Sequence, residues 1–324
     1  MSSDIKKINR RSLDAFHEFG GKIKHAARWH IWLPEVLFLK NERGRFLKYF
    51  TLPGKWAYDI FFFEQKEIIE KRHRGFPDVR FCDNNVESYT TAKRLLGNTI
   101  GIQRNFEDLV LKDEKVFWDG FPYDLYNLDF CGTCFPDSQP PFSDTFKAID
   151  KIIEKHMEVD YFPFTILLTM KAEKAETKQE AEEELIENIE TNRRAADFEQ
   201  TINAVIPDTN QFVNSNFVDF ILISIPKLIC HLAKDHCDVE VRKRAKYSRN
   251  TKGHLYYVAK FVFKFIARRQ RSLRIMTDNY MNNVRQIMQL GNIITINNSL
   301  ITNEIKKSLD DLKVLLQQRH DRPG

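Results

Sequence analysis

The sequence predicts an α/β fold: a doubly wound, mostly parallel sheet with helices on both of its faces. Two observations lead to this prediction. Short apolar runs alternate with longer helical segments along most of the chain, which is the rhythm of strands joined by crossover helices. A glycine, an amide or an acid also closely follows each of the first four runs, as expected where parallel strands open into functional turns.

The apolar runs define the strands of this sheet. Five strands are expected at residues 46–52, 79–82, 99–103, 123–129 and 163–170. Residues 239–247 and 255–265 then predict a C-terminal β-hairpin that closes the sheet. Because strands of parallel sheets place ligands at their carboxyl ends, the residues that follow each strand are the candidates for function.

The helices are read from apolar periodicity and from the residues that begin and end them. They are expected at residues 86–96, 142–157, 171–190 and 210–235. Gly97 occupies the C-cap position of the first, and Pro140-Pro141 leads into the second. The third is rich in glutamate and lysine and predicts a solvated helix, whereas the fourth is apolar and predicts a buried one.

Three regions are expected along the chain. Residues 1–44 predict a helical N-terminal extension, residues 45–267 the sheet domain, and residues 268–324 a pair of C-terminal helices. An apolar stripe on the last helix can pack on the domain or against a protein partner, including a second copy of the chain. The stripe consists of Ile305, Leu309, Leu312, Leu315 and Leu316.

Composition restricts the class of protein. The chain has 324 residues and 42% hydrophobic residues, which is enough for a large core. It contains no apolar run long enough to span a bilayer, and its start lacks the apolar core of a secretory signal. Five cysteines, an odd number, argue against a disulfide scaffold, so a cytoplasmic location is expected.

Polar positions after the first three strands have the chemistry of a nucleoside pocket. Gly54 allows a ligand to approach the backbone closely, and Asp83 offers a carboxylate to ribose hydroxyls. Asn105 can hydrogen-bond the edge of an adenine, and Phe106 can lie against its face. Each has a structural alternative: a turn for Gly54, a helix N-cap for Asp83 and a core position for Phe106.

The fourth strand ends in Asp129 and Phe130, which are expected at the reactive end of such a ligand. The alternative is that Asp129 only caps a loop. Cys131 and Cys134 have the spacing of a redox pair or half of a zinc site, with Cys230 and Cys237 as further ligands, but burial as structural cysteines is favoured. No metal site is therefore predicted.

A basic cluster in the hairpin is the candidate contact with DNA or RNA. It comprises Lys243, Arg244, Lys246 and Arg249. Basic residues interleaved with aromatic ones, such as Tyr247, can bind phosphates and stack on bases. The alternative is a solvated surface around a strand, because the net charge of the chain is only +5.

Five segments together resemble class I S-adenosylmethionine-dependent methyltransferases, in particular the three-Cys-motif partner proteins and related methyltransferase-like proteins encoded beside bacterial defence genes. The segments are TLPGKWAYD, VRFCDNN, IQRNFED, YNLDFCG and FTILLTM. The resemblance covers residues 45–265. The chain departs from the family pattern at two places. Its first loop has a single glycine, and its fourth-strand loop lacks the Asn/Asp-Pro-Pro-Tyr form used for methylating amino groups of DNA.

The resemblance implies a Rossmann-like domain that binds S-adenosylmethionine. Gly54, Asp83, Asn105 and Phe106 match the cofactor-binding positions, and Asp129 with Phe130 matches the catalytic loop. The implied function is methyl transfer to nucleic acid, or nucleic-acid binding, in antiviral defence. The alternative is a methyltransferase-like module that binds a protein partner or nucleic acid without chemistry, and the sparse first loop favours it.

Overall fold

The computed structural model describes residues 21–72, 75–130, 132, 143–194, 196–251, 254–268 and 273–320. A single sheet of eight strands runs through these residues. The strands are β1 (Tyr49–Thr51), β2 (Val79–Cys82), β3 (Ile100–Ile102), β4 (Leu125–Asp129), β5 (Phe164–Lys171), β6 (Asp238–Thr251), β7 (His254–Ile266) and β8 (Ile293–Thr295). Their order across the sheet is β3-β2-β1-β4-β5-β7-β6-β8.

The first five strands are parallel, and their order reverses between β1 and β4. Thr51 at the end of β1 pairs with Phe81 on one side and with Asn127 on the other. This reversal is the topological switch point of a doubly wound fold, where ligands bind outside the carboxyl ends of the strands. The predicted α/β, Rossmann-like class is therefore confirmed, together with the hairpin, in which β7 is antiparallel to both β5 and β6.

Helices cover both faces of the sheet. They are α1 (Lys22–Ala27), α2 (Leu33–Arg43), α3 (Tyr58–Gln65), α4 (Val86–Leu96), α5 (Phe106–Leu111), α6 (Lys115–Trp118), α7 (Asp144–Glu158), α8 (Gln179–Arg193), α9 (Ala196–Asn203), α10 (Thr209–Ser215), α11 (Phe217–Ala233), α12 (Leu273–Ile287) and α13 (Asn303–His320). A π-helical turn, Arg28–Trp32, joins α1 to α2. Among these described helices, none is both long and apolar enough to cross a membrane.

Two hydrophobic cores result, one on each face. Neighbouring residues of β1 divide between them: Tyr49 packs with α1 to α4 and α13, whereas Phe50 packs with α5 to α12. Adjacent residues of β7 divide in the same way, with Val262 on the first face and Phe263 on the second. Because side chains alternate along a strand, a sheet buried on both faces needs continuously apolar strands, which is the pattern that the sequence presents.

Two predicted helices differ from the observed ones. The apolar stretch 210–235 forms two helices, because Asn216 leaves the helical conformation (φ −137°, ψ 44°) between α10 and α11. The charged stretch 171–190 is not one helix: the strand before it extends to Lys171, a 3₁₀ turn follows at Lys174–Glu176, and α8 begins at Gln179. Both stretches contain helices, as predicted, but the helices begin and end at other residues than expected.

The C-terminal region adds a strand that the sequence did not indicate. After α12, β8 pairs in parallel with β6 at the edge of the sheet. Helix α13 then packs against α1, α3 and α4, and its stripe of Ile305, Leu309, Leu312 and Leu316 is buried there. Of the two alternatives for this stripe, packing on the domain is the one observed.

A buried carboxylate ties the opposite end of the sheet together. Asp124, immediately before β4, is fully buried. It lies 2.8 Å from Nε of Arg43 and 2.9 Å from Nη1 of Arg45, and it accepts hydrogen bonds from the Tyr161 hydroxyl and the Lys48 backbone N–H. It therefore joins the end of α2 to the starts of three parallel strands.

Replacing Asp124 with asparagine should lower the free energy of unfolding by about 3–5 kcal/mol, because two guanidinium groups lose their buried counter-charge. Asp310→Asn is the matched control, since Asp310 is mostly exposed and, among the described residues, forms an ion pair only with Lys313 on the same helix. It should cost less than about 1 kcal/mol. Urea denaturation measures both, and equal losses would contradict the role assigned to Asp124.

Candidate functional site

A cleft of about 510 Å³ opens at the carboxyl ends of β1 to β4, over the switch point. The starts of α5 and α7 form its outer wall. The structure brings together along this cleft all six positions predicted for cofactor and acceptor: Gly54, Asp83, Asn105, Phe106, Asp129 and Phe130. Their individual environments differ, and those differences decide what each can do.

Gly54 shapes the loop between β1 and α3. Its φ is +62°, in the left-handed region, and its carbonyl oxygen accepts a hydrogen bond from the Ala57 N–H in the turn. A Cβ atom at this position would meet nothing within 4 Å, so the backbone borders open space in the cleft. The glycine is therefore required for the turn, and it also leaves the cleft unobstructed.

Asp83 is not the N-cap of α4. Asn85 takes that position, and its side chain accepts a hydrogen bond from the Ser88 N–H. Oδ1 of Asp83 accepts a bond from the Asn85 N–H at 2.9 Å, while Oδ2 bonds to none of the described residues. Burial raises the pKa of Asp83 from its usual value. One carboxylate oxygen is thus available to a ligand that lies in the cleft.

Asn105 and Phe106 differ in what they can offer a ligand. Asn105 is exposed at the rim, where its Oδ1 accepts a hydrogen bond from Nδ2 of Asn84 at 2.6 Å. Phe106 is only 2% exposed, and its ring packs against Phe50 and Phe130. A ring so buried has little face left for stacking, so the predicted contact with an adenine face is corrected: Phe106 forms the floor of the cleft as a core residue.

Asp129 ends β4 and is held by cations from the N-terminal segment. Its Oδ2 lies 2.9 Å from Nζ of Lys24 and 3.8 Å from Nη2 of Arg28. Burial alone would raise the pKa of Asp129, but Lys24, Lys260 and Arg28 together outweigh it and hold the pKa well below its usual value. The carboxylate is therefore ionised at neutral pH and already paired.

A second lysine lies beneath this pair. Lys260 of β7 is fully buried, donates a hydrogen bond to Oγ1 of Thr169 at 2.7 Å, and lies 3.8 Å from the centre of the Trp32 ring. Burial lowers the pKa of Lys260 well below its usual value, and the charge of Asp129 opposes that shift. The N-terminal segment thus covers a buried ionic cluster at the end of β4.

A hydrogen-bonded cluster centred on the Asp59 carboxylate lies at the base of the switch point. Oδ2 of Asp59 accepts hydrogen bonds from the hydroxyls of Tyr49 and Thr51, each at 2.5 Å, and from the amide of Asn127 at 2.9 Å. These residues come from α3, β1 and β4. These bonds hold α3 against the ends of β1 and β4 below the loop that carries Gly54, although Oδ1 of Asn127 is buried and bonds to none of the described residues.

The start of α7 contributes positions that the sequence reasoning missed. Ser143 is 3% exposed, lines the cleft, and its hydroxyl bonds to none of the described residues. The next two residues also line the cleft, and Thr145 donates a hydrogen bond to Glu107 at 2.6 Å. The signal in the sequence is Ser143-Asp144, two residues after the Pro140-Pro141 pair, which is a typical helix start.

The cleft is acidic. Five carboxylates and one guanidinium line it: Asp83, Glu107, Asp108, Asp129, Asp144 and Arg104. Lysines pair with three of the acids, Lys112 with Asp108, Lys24 with Asp129 and Lys147 with Asp144. Asp83 and Glu107 have no such ion pair among the described residues, so a cationic group of a ligand would meet an unpaired carboxylate at these two positions.

The basic cluster predicted to bind nucleic acid does not form one surface. Side chains alternate along β6, so Lys243 and Arg249 lie on the face of α2, while Arg244 and Lys246 lie on the face of α11. Lys243 lies 3.7 Å from Glu35. The prediction that these four residues share one phosphate-binding patch is therefore wrong.

Arg244 in particular cannot reach a phosphate. It is 5% exposed, and its guanidinium donates to the backbone carbonyls of Leu222, Gln286, Ile287 and Gln289. Burial lowers the pKa of Arg244 to about 10. Its role is to join the end of α12 to α11 and the sheet.

The cysteine pair Cys131 and Cys134 lies outside the described residues. Cys230 and Cys237, its proposed zinc partners, are buried, and burial raises the pKa of each thiol to about 12. Within the part of the chain that the structure describes, no three metal-ligating side chains converge. The described cysteines are core residues.

A scan against family models and a search of the curated proteins both found no match to this chain. Function must therefore be argued from the cleft itself. The observations that bear on it are the position of the cleft at the switch point, its open glycine turn and the unpaired carboxylates of Asp83 and Glu107.

Replacing Asp129 with asparagine should lower the free energy of unfolding at pH 7 by about 3 kcal/mol, because the cations around it lose a counter-charge. Since the folded state lowers the pKa of Asp129, this contribution is complete above the unfolded value of about 4 and is lost as the pH falls through the lower folded value. The difference between variant and wild type should therefore shrink below about pH 4.

Urea titrations at pH 7, 5 and 3 measure that difference. Asp144→Asn is the control, because Asp144 lines the same cleft but its side chain is 62% exposed. A loss for Asp129→Asn that stays constant down to pH 3 would contradict the ionic role.

Proposed function

We propose that this chain is an S-adenosylmethionine-binding, methyltransferase-like protein that acts on nucleic acid, in the bacterial defence setting that the resemblance implies. The observation that carries the proposal is the acidic cleft over the switch point, with Gly54 at its entrance and Asp83 on its wall. This combination fits a nucleoside that bears a cationic group better than it fits a nucleotide, because phosphates would be repelled by the carboxylates.

The residues present fit that cofactor. S-adenosylmethionine combines an adenosine with a sulfonium and an ammonium group, and the cleft of about 510 Å³ is within the usual range for such ligands. Asp83 can accept from ribose hydroxyls through Oδ2, and Asn105 can bond the adenine edge. When bound, the cofactor supplies a methyl group activated for transfer to a nucleophile.

Asp129 lies where a residue that orients the acceptor is expected, but its carboxylate is already engaged in an ion pair. It lies at the end of β4 beside the cleft, and Lys24 holds its carboxylate at 2.9 Å. To receive a hydrogen bond from an acceptor it must share or exchange this ion pair. The N-terminal segment therefore belongs to the proposed site as a positioning element.

The same ion pair supports a second candidate, a methyltransferase-like module that binds a partner or nucleic acid without chemistry. In this case the pairs of Asp129 with Lys24 and Arg28 are structural and permanent. The sparse glycine content of the first loop also favours this candidate. The two candidates make opposite predictions about methyl transfer.

Asp83→Ala should weaken the binding of S-adenosylmethionine about ten- to hundred-fold, because a charge-assisted hydrogen bond to ribose contributes about 1.5–3 kcal/mol. Asp78→Ala is the matched control: Asp78 precedes the same strand at its opposite end, and it should bind like the wild type. Isothermal titration calorimetry measures both affinities. No binding by the wild-type protein at millimolar cofactor would contradict the cofactor assignment.

Asp129→Asn should leave cofactor affinity within a few-fold and abolish methyl transfer, if the carboxylate acts chiefly in the transition state. The measurement is incorporation of a radiolabelled methyl group into single-stranded DNA, duplex DNA and transfer RNA, expressed per folded molecule. An Asp129→Asn protein that is destabilised but fully active would contradict the acceptor role. Cofactor binding by the wild-type protein without transfer to any acceptor would favour the second candidate.

A further inference from the structure

A second cavity, of about 750 Å³, lies at the same end of the sheet as the cleft, where the parallel strands end. It is bounded by the carboxyl end of β6, the start of β7, the residues after β8 and the first turn of α11. None of the positions discussed for cofactor binding belongs to it. It is therefore a separate candidate site.

Its lining is rich in amides and carries no excess charge. Five asparagines line it: Asn214, Asn216, Asn250, Asn297 and Asn298. The charged side chains in the lining, Lys246 and Asp219, pair with each other at 2.5 Å. Several of these amides already have a partner: Oδ1 of Asn214 accepts from Lys174, Oδ1 of Asn297 accepts from Ser299, and Nδ2 of Asn216 donates to Ser215. The side chain of Asn298 bonds to none of the described residues. Its amide therefore presents a donor and an acceptor side by side, which matches the edge of an adenine.

Exposed apolar side chains stand beside these amides. Leu255 and Tyr257 of β7 are 55% and 40% exposed, and Phe217 is half-buried at the start of α11. The backbone of Tyr257 is fixed, because its carbonyl oxygen accepts a hydrogen bond from the Ala172 N–H after β5. An exposed aromatic ring on a fixed strand, next to amides, is a platform on which a base can stack.

The two cavities are separated by the start of α1. Ile23 lines the second cavity, and the next residue, Lys24, pairs with Asp129 in the cleft. Tyr247 also links the two sites. It lines the second cavity, and the pKa of its hydroxyl is raised mainly by burial and next by the negative charge of Asp129. Two adjacent residues of α1 thus contact the second cavity and the proposed reactive end of the cleft.

We propose that the second cavity binds an unpaired base of single-stranded nucleic acid, by stacking on Tyr257 and by hydrogen bonds to the asparagine amides. As the place where the acceptor strand is held, this inference deepens the proposed function and rests on it for the chemical step. Base binding itself needs no cofactor. Because the cavity is neutral, recognition there concerns the base and not the phosphate, in contrast to the basic cluster that the sequence suggested.

The test compares two labelled single strands of about ten nucleotides, one carrying bases and one abasic, by fluorescence anisotropy without cofactor. The base-bearing strand should bind about ten-fold more tightly, and this ratio should persist as salt rises, because phosphate attraction is screened equally for both strands. Tyr257→Ala and Asn298→Ala should each reduce the ratio, and the double variant should bring it close to one.

Matched controls exist at the other end of the sheet. Phe46, before β1, is 40% exposed like Tyr257, and Asn41 is an exposed amide on α2, so Phe46→Ala and Asn41→Ala should leave the ratio unchanged. Equal affinity for the two strands, or an unchanged ratio in Tyr257→Ala, would overturn the inference. Competition by a neutral oligosaccharide would overturn it as well, and would assign the cavity to sugars. Because no cofactor is present, failure to bind S-adenosylmethionine cannot produce any of these outcomes.

Discussion

The pairing of Asp129 with Lys24 and Arg28 is the interaction on which the candidate site depends. A carboxylate at the end of a central parallel strand is largely removed from water, and it stays ionised only because cations accompany it. The two cations in direct contact, Lys24 and Arg28, come from the N-terminal segment, which is thereby held against the end of β4, and Lys260 of β7 adds a third charge nearby. The same pair sets the wall between the cleft and the second cavity, so both sites share one electrostatic support.

The sheet beneath carries buried polar groups at its centre, where α/β folds are usually apolar. Asp59 receives three hydrogen bonds from β1 and β4, and Lys260 bonds to Thr169 of β5. Such groups are costly to bury and are retained where every partner is in place. Their position directly below the switch point supports the assignment of the functional edge to the carboxyl ends of these strands.

The charges of the molecule are distributed differently from what its sequence suggests. In the sequence, the basic residues of β6 look like one patch, but alternate residues of a strand lie on opposite faces of the sheet. The guanidinium of Arg244 is moreover hydrogen-bonded to backbone carbonyls. The carboxylates of the cleft, in contrast, come from segments far apart in the chain and converge only after folding. The second cavity, by contrast, contains one lysine and one aspartate, Lys246 and Asp219, which pair with each other.

The sequence by itself determined the fold class, the five parallel strands, the hairpin and the six positions that line the cleft. These follow from local rules: apolar runs mark buried strands, and residues after parallel strands meet at one edge. Only the tertiary structure decided the burial of Phe106, the pairing of Asp129 with Lys24, the pairing of β8 with β6 and the packing of α13. Each of these depends on contacts between residues distant in the chain, which the periodicity of a single segment cannot predict.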